Sequence, residues 1–308
     1  MKIAVLCSGG DAPGMNAAIW RITAAAAARG WQVIGIPEGF RGLLDGRRQE
    51  LHVAETMRHA RHGGAWLGVA RVPDLPERID DAVAALTDFD ALVVIGGNGS
   101  LAGAGAVAAG WGRSVLGLPA TIDNDIAGTE LSLGYDTALL FGLEVADRQR
   151  DSAEALPRLF CIETLGGPTG HLADMLGRLA GADVTLIPED TLDETEIVAR
   201  MGPAKSAGGP MLIVASEGYP ELHAVLTRVC ARLGTRLRMS SLGHAQRGGA
   251  PTPRDRALAI AFADRAVQAM ADGRSGYTVL TSGTVGLVDL SEVGPARQPD
   301  PQAWRGVL

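Results

Sequence analysis

The sequence predicts an α/β protein of two domains, with mainly parallel sheets flanked by helices. Three observations carry that prediction. The apolar stretches at 3–7 (IAVLC), 91–95 (ALVVI) and 211–215 (MLIVA) are continuous, not alternating, as strands covered on both faces require. Each such run ends in or near glycine, and helical stretches follow in the same rhythm along the chain. The length, 308 residues, suggests two domains and suffices for a large core.

Taken in order, the strand at 3–7 enters Ser8-Gly9-Gly10-Asp11-Ala12-Pro13-Gly14, and 16–28 reads as a helix. Asn16 or a neighbour is the candidate N-cap and Gly30 the stop. A second strand covers 33–36, a helix 80–86, and the strand at 91–95 ends in the loop Gly96-Gly97-Asn98-Gly99-Ser100. The strand at 115–118 leads through Pro119 to Thr121. Further along, 159–162 enters Gly166-Gly167-Pro168-Thr169-Gly170 with a helix after it, and 211–215 enters Ser216-Glu217-Gly218. The Pro-rich tail 294–301 reads as irregular. Ligands of such proteins sit at the carboxyl ends of the strands, where these glycine loops fall.

Composition narrows the chemistry. Hydrophobic residues are 46% and charged residues 20%, ordinary for a compact soluble enzyme. Apolar runs such as 24–28 and 91–95 are far shorter than the roughly 20 residues of a membrane span. The short apolar start ends in glycines and reads as a strand, without the cleavage site of a signal peptide. Cys7, Cys161 and Cys230 are widely spaced, without metal spacing, and read as buried reduced thiols of a cytoplasmic protein. A net charge of −7 argues against a nucleic-acid partner but leaves room for a small anion held by a local arginine cluster. Lys2 and Lys205 are the only lysines, and no Gly-Lys-Ser/Thr string exists. A lysine-dependent phosphate loop is therefore excluded, as is a kinase of the β-strand lysine type. Phosphate chemistry here must rest on backbone amides, arginines and a metal ion.

The candidate residues follow. Gly9 and Gly10 after a strand let backbone amides approach phosphate oxygens, although a plain tight turn explains them equally well. Thr121-Ile122-Asp123-Asn124-Asp125 sets two carboxylates two residues apart after a buried strand. It reads either as a polar turn with a helix cap, or as a proton-abstracting carboxylate with a second placed for Mg²⁺. His244 and Arg247 lie in the glycine-rich stretch 242–251. Arg247 offers a permanently charged fork for phosphate, whereas His244 is either a ligand group or a structural hydrogen-bonder.

Together these strings resemble the ATP-dependent 6-phosphofructokinase family, of the phosphofructokinase A type. The resemblance runs in order over essentially the whole chain: SGGDAPGMNAAI at 8–19, GGAWLGVAR at 63–71, ALVVIGGNGS at 91–100, GLPATIDNDIAG at 117–128, IVASEG at 213–218 and LGHAQRGGAPTPRDR at 242–256. It implies a nucleotide-binding domain at 1–136 plus about 247–290, a sugar-phosphate domain at 137–246 plus about 291–308, and a substrate cleft between them. It implies a Mg- and ATP-dependent kinase of fructose 6-phosphate, cytoplasmic, forming a homo-oligomer (tetramer or dimer) with sites shared between subunits, and with no nucleic-acid or membrane partner. Asp123 would be the base and Thr121 would orient the acceptor and γ-phosphate. Asp125 and Asn98 would take Mg²⁺. Gly9, Gly10, Arg71, Gly97, Asn98, Gly99, Ser100 and Gly103 would line the nucleotide. Leu165, Gly166, Glu217, His244 and Arg247 would bind the sugar phosphate, joined by Arg158 and Arg238 of a neighbouring subunit.

Three departures from the family pattern bear on function. The family's GGDGS loop carries Asn98 in place of its Asp, which costs the metal site a full negative charge. Its Met-Gly-Arg motif reads Leu165-Gly166-Gly167, which removes an arginine beside the sugar and leaves a specialised kinase for another phosphorylated sugar or nucleoside as one alternative, and a weakly active binding homologue as another. Trp20, Ala24, Ser206 and Gly208 stand where bacterial members carry effector-binding cations, so the usual ADP and phosphoenolpyruvate regulation is expected to be absent. Ala120 and Gly99, both small, leave room for an α-phosphate where pyrophosphate-dependent relatives are bulkier, which favours ATP.

Overall fold

The computed structural model describes residues 1–155 and 158–299. It divides the described chain into two compact units, 1–137 with 247–296 and 138–246 with 297–299. The first runs β1 (Lys2–Ser8), α1 (Met15–Ala27), β2 (Gln32–Ile36), α2 (Gly39–Leu44), β3 (Gln49–Glu50), α3 (Val53–His59), α4 (Ile79–Ala85), β4 (Ala91–Gly96), α5 (Asn98–Trp111) and β5 (Ser114–Pro119). Helix α6 (Tyr135–Ala155) starts in this unit and runs on into the second. The second unit adds β6 (Leu159–Thr164), α7 (His171–Leu179), β7 (Val184–Leu186), α8 (Glu194–Ser206), β8 (Met211–Ser216), α9 (Leu222–Leu233) and β9 (Leu237–Ser241). The chain returns to the first unit for α10 (Pro253–Ala271), β10 (Gly276–Thr281) and β11 (Thr284–Val288).

The first unit holds a seven-stranded sheet in the order β11-β10-β5-β4-β1-β2-β3. Its pairs are parallel except for the two edges, β2 with β3 and β10 with β11. Every residue of β4 and β5 is buried, which explains their unbroken apolar character. One core cluster packs Leu6, Ile36, Phe40, Leu92, Leu101 and Tyr277 among its members. The second unit holds a four-stranded, all-parallel sheet in the order β7-β8-β6-β9, with a core including Cys161, Ile213 and Leu226. Among the described residues no helix is long and apolar enough to cross a membrane.

Three local expectations need correction. Helix α1 begins at Met15, and its N-cap is Gly14 in the left-handed conformation (φ 102°), with no side-chain cap. Asn16 already lies inside the helix and bonds elsewhere. The glycine loop after β4 shrinks to Gly97, because α5 starts at Asn98. The stretch around His244 and Arg247 is a single 3-10 turn, Gly243–Arg247, because a short polar segment closes on itself with i to i+3 bonds. The tail is irregular to Pro299, while Asp300 and Pro301 lie outside the described residues.

The three cysteines are free and buried. Burial pushes Cys7 up to about 12 and raises Cys161 and Cys230, which keeps them as unreactive thiols.

Candidate active site

Strand register builds the site. Ser8 of β1 pairs with Gly96 of β4, and Gly96 pairs with Pro119 of β5, so the carboxyl ends of three adjacent parallel strands are level. Between β1 and β4 the chain reverses the direction in which it adds strands, and such switch points open a crevice. The loops that leave these ends surround a cavity of about 410 Å³. It is lined by Ser8, Gly9, Gly10, Gly97, Asn98, Gly99, Ser100, Ala120, Thr121, Asp123, Asp125 and Arg247, with Arg71 and an apolar side of Phe40, Val72 and Leu75.

Glycine permits close approach here, and at Gly96 the neighbouring backbone leaves no room for anything larger. A Cβ on Gly96 would stand 2.5 Å from the Ser8 carbonyl and 2.6 Å from Ser100 Oγ, and one on Gly10 would stand 2.6 Å from an Arg247 guanidinium nitrogen. Gly9 has φ 85°, the left-handed region that side chains avoid. The result is a backbone cradle with the N-terminus of the fourteen-residue α5 facing the cavity, an arrangement that attracts anions.

The segment 121–125 is held from behind. Asn124 adopts φ 53°, which Asn tolerates better than most residues, and its side chain knits the loop together. Its Nδ2 donates to the Glu130 carbonyl (3.1 Å) and its Oδ1 accepts from Ser132 N (2.9 Å). Ser132 Oγ donates to the Thr121 carbonyl (2.6 Å), and Asp123 N donates to Thr121 Oγ1 (3.2 Å). Asn124 therefore turns the backbone so that Asp123 and Asp125, either side of it, both line the cavity. Nothing but the tolerance of Asn for left-handed backbone points to it in the sequence.

Asn98 supplies the other side. Its Nδ2 donates to Asp125 Oδ2 (2.9 Å), while its Oδ1 is buried without a hydrogen-bond partner. An amide oxygen in that state is a ready ligand for a hard cation, beside a carboxylate suited to the same ion. Among the described residues no group of three or more His, Cys, Asp or Glu is placed to hold a metal.

The cations are placed selectively. Lys2 pairs with Asp88 (2.7 Å) and Lys205 caps the Leu233 carbonyl, so neither lysine lines the cavity. Arg247 lies over Gly10 and donates to the Asp11 carbonyl (3.3 Å). Gly103 is the one predicted nucleotide contact that does not line the cavity. It sits a turn into α5, where a Cβ would press on Leu75 and Phe40 of the apolar side.

In the second unit, Thr164 of β6 pairs with Ser216 of β8, and the loops after them touch. Gly167 N donates to Glu217 Oε1 (3.0 Å), and a Cβ on Gly218 would stand 2.6 Å from the Gly167 carbonyl. Leu165 N donates to Gln246 Oε1 (2.7 Å), and Gln246 Nε2 reaches the Ala138 carbonyl (3.5 Å). Buried Gln246 thus ties the His244 turn to the Leu165–Gly166 loop. Leu165, Gly166, Glu217 and His244 share the carboxyl edge of this sheet. Arg158 and Arg238 do not: Arg158 precedes β6 and Arg238 pairs with Phe160 near the start of that strand. Six residues separate Arg158 from the end of β6, roughly 20 Å, and three separate Arg238 from the end of β9, roughly 10 Å.

Comparison with known proteins agrees with this geometry. A family model described as Phosphofructokinase matches residues 2–270. ATP-dependent 6-phosphofructokinase of Lysinibacillus sphaericus is 40% identical over 285 residues, covering 90% of this chain and 88% of its own. ATP-dependent 6-phosphofructokinase 1 of Thermus thermophilus is 37% identical over 305 residues, covering 96% and 95%. The phosphofructokinase structure from Saccharomyces cerevisiae superposes with a TM-score of 0.89 at 30% identity, over 95% of this chain and 45% of that longer one. A pyrophosphate-dependent phosphofructokinase from Marinobacter aquaeolei shares the fold, with a TM-score of 0.87 at 20% identity over 97% of this chain and 86% of that one. A level set of strand ends, glycine cradles and paired carboxylates, matched over nearly the full length by such relatives, makes this chain a member of the phosphofructokinase family.

Proposed function

We propose that the chain transfers the γ-phosphoryl group of ATP to the carbon-1 hydroxyl of fructose 6-phosphate, giving fructose 1,6-bisphosphate and ADP. One observation carries the reading: Asp123 and Asp125 line the same cavity as the Gly9-Gly10 and Gly97–Ser100 cradles. The amides of those cradles and the start of α5 bind the phosphates of the donor, with Arg71 as a permanent cation beside them. Thr121 orients the reacting groups. Asp123 accepts the hydroxyl proton as the acceptor oxygen attacks phosphorus, and the β–γ bridging oxygen departs with ADP. Asp125 and Asn98 Oδ1 would hold Mg²⁺, which when bound would neutralise phosphate charge.

ATP as donor is supported by the names of the relatives and by local space. A Cβ on Gly99 would meet nothing within 4 Å, so the cavity stays open where a larger side chain would fill it. The apolar side of Phe40, Val72 and Leu75 suits a purine and has no use for pyrophosphate.

The first unit serves as the nucleotide-binding domain and the second as the sugar-phosphate domain, with Leu165, Gly166, Glu217 and His244 holding the sugar; Arg247 keeps the sugar-phosphate role that its motif implies. The position of Arg158 and Arg238 at the opposite edge of the second sheet supports their use by a neighbouring subunit, in a homodimer or homotetramer of a cytoplasmic glycolytic enzyme. A second reading, a kinase for another phosphorylated sugar, is favoured by Gly167, whose backbone amide contacts Glu217 where the family pattern places an arginine. Coupled ADP release, with ATP and then pyrophosphate, across a panel of sugar phosphates tests both. Highest kcat/KM for ATP with fructose 6-phosphate is expected; a better acceptor in the panel overturns the first reading, and no turnover with any of them overturns both.

A further inference from the structure

The loop that follows β6 carries Leu165 and Gly166, and side chains hold it where regular structure does not. Gly166 has φ 148° and Gly167 φ 57°, and a Cβ on Gly166 would stand 2.6 Å from the Thr169 carbonyl. Each end of the stretch 165–167 gives its amide to a side chain. Gly167 N donates to Glu217 Oε1 (3.0 Å) and Leu165 N to Gln246 Oε1 (2.7 Å). The two holds differ in kind. Glu217 is exposed, so a sugar hydroxyl can compete with the Gly167 amide for its carboxylate. Gln246 is 1% exposed, out of reach of solvent, and its hold on Leu165 persists whatever the site contains.

Gln246 also belongs to the 3-10 turn that carries His244. Backbone pairing secures the start of that turn, where Leu242 N donates to the Glu163 carbonyl (2.9 Å). Beyond that point Gln246 joins turn and loop. Its short bond to Leu165 is the strong one; the reach of Nε2 to the Ala138 carbonyl of α6, at 3.5 Å, is long and adds little. One buried side chain thus sets the spacing between the His244 turn and the Leu165–Gly166 backbone.

We propose that Gln246 is a positioning residue of the acceptor site, fixing the Leu165–Gly166 loop against the His244 turn through the Leu165 amide. The proposal rests on the reading that these residues hold the sugar phosphate. Gln246 touches no reacting atom. Its loss leaves a buried N–H unbonded and lets the loop drift, and a displacement of about 1 Å in groups that position a substrate costs affinity and rate. Neither Gln246 nor its partners line the donor cavity, so the effect falls on the acceptor.

The test is calorimetric titration of the full-length protein with fructose 6-phosphate, beside coupled ADP release for both KM values. It compares wild type with Gln246→Met, which keeps the side-chain length without either bond, and Gln246→Glu, which keeps an oxygen for the Leu165 amide. Each is confirmed folded by melting. Gln246→Met is expected to weaken binding and raise the acceptor KM about tenfold, while the KM for ATP stays within about twofold. Gln246→Glu buries a carboxyl, so its melting midpoint falls further than that of Gln246→Met, yet its affinity stays closer to wild type. A merely structural role would make affinity follow the melting midpoints, and that order overturns the proposal. So does binding by Gln246→Met within about twofold of wild type, or an equal rise in both KM values. Wild type that does not bind fructose 6-phosphate overturns the acceptor reading itself, and the proposal with it. Should Gln246→Met not fold, Gln246→Leu replaces it, and amide exchange of wild type gives a check that needs no variant. The Leu165 amide is expected to be protected, and exchange at the free-chain rate contradicts the anchor.

Discussion

The carboxyl edge of the first sheet and that of the second are built alike and equipped differently. At the first, three level strand ends carry glycine cradles, two carboxylates and two arginines that form no salt bridge among the described residues. At the second, the loops after β6 and β8 are stitched to each other. Glu217 is engaged by the Gly167 amide, Leu165 N by Gln246, and no arginine stands in the 165–170 loop. The donor end is kept ready for charge, whereas the acceptor end satisfies itself internally. Chemistry is therefore more firmly written into the first unit than acceptor choice is into the second.

The strongest way to break that contrast is at Asp123. Asp123→Asn is expected to lower kcat by about 10²–10⁴-fold while leaving MgATP affinity nearly unchanged, measured by ADP release and calorimetry. Next comes the split between ends. Arg71→Ala should raise the KM for ATP about tenfold and spare the acceptor KM, whereas Glu217→Gln should do the reverse. Equal effects of both variants on both substrates would erase the distinction.

Gly167→Arg probes the acceptor loop. Gly167 has φ 57°, so a side chain there strains the backbone by about 1–2 kcal/mol, read as a lower melting midpoint. The restored cation should nevertheless change the ranking of acceptors and leave the KM for ATP alone. Asn98→Asp is the smallest step. In the metal-free protein it replaces a donor to Asp125 with a second carboxylate, a loss of about 1 kcal/mol in stability. It should also lower the Mg²⁺ concentration needed for half-maximal rate.

A control lies away from both ends. Asp255, 1% exposed, accepts from Gly134 N, Thr137 N and Thr137 Oγ1, and burial raises its carboxyl above the ordinary 3.8. A carboxyl with a raised folded-state pKa contributes stability that is fully present below that ordinary value and is lost as pH rises through the folded one. The stability advantage of wild type over Asp255→Asn should therefore narrow as pH rises from about 4, in melting experiments.

Much of this was legible in the sequence because strands buried on both faces must be apolar throughout, and because close backbone approach demands glycine. Thr121, Asp123 and Asp125 stood out for the same reason, as polar residues straight after a buried strand. Side chains that hold loops did not stand out. Asn16 reads as a helix cap from its neighbours, since Asn favours caps, but Gly14 takes that place and frees the amide for residues 62–66. Asn124, Gln246 and Asp255 act through partners 6 to 121 residues away, a distance that no periodicity encodes. A Cβ on Gly103 would press on Leu75 and Phe40, a packing demand that lies outside any local pattern.

The most direct test of the central claim is a single-turnover experiment with γ-labelled ATP, Mg²⁺ and fructose 6-phosphate, wild type beside Asp123→Asn. The account predicts that label appears on carbon 1 of fructose 1,6-bisphosphate in step with ADP, and that Asp123→Asn slows this at least about a hundredfold with the donor still bound. Label released as inorganic phosphate, or transfer by Asp123→Asn at the wild-type rate, would contradict it.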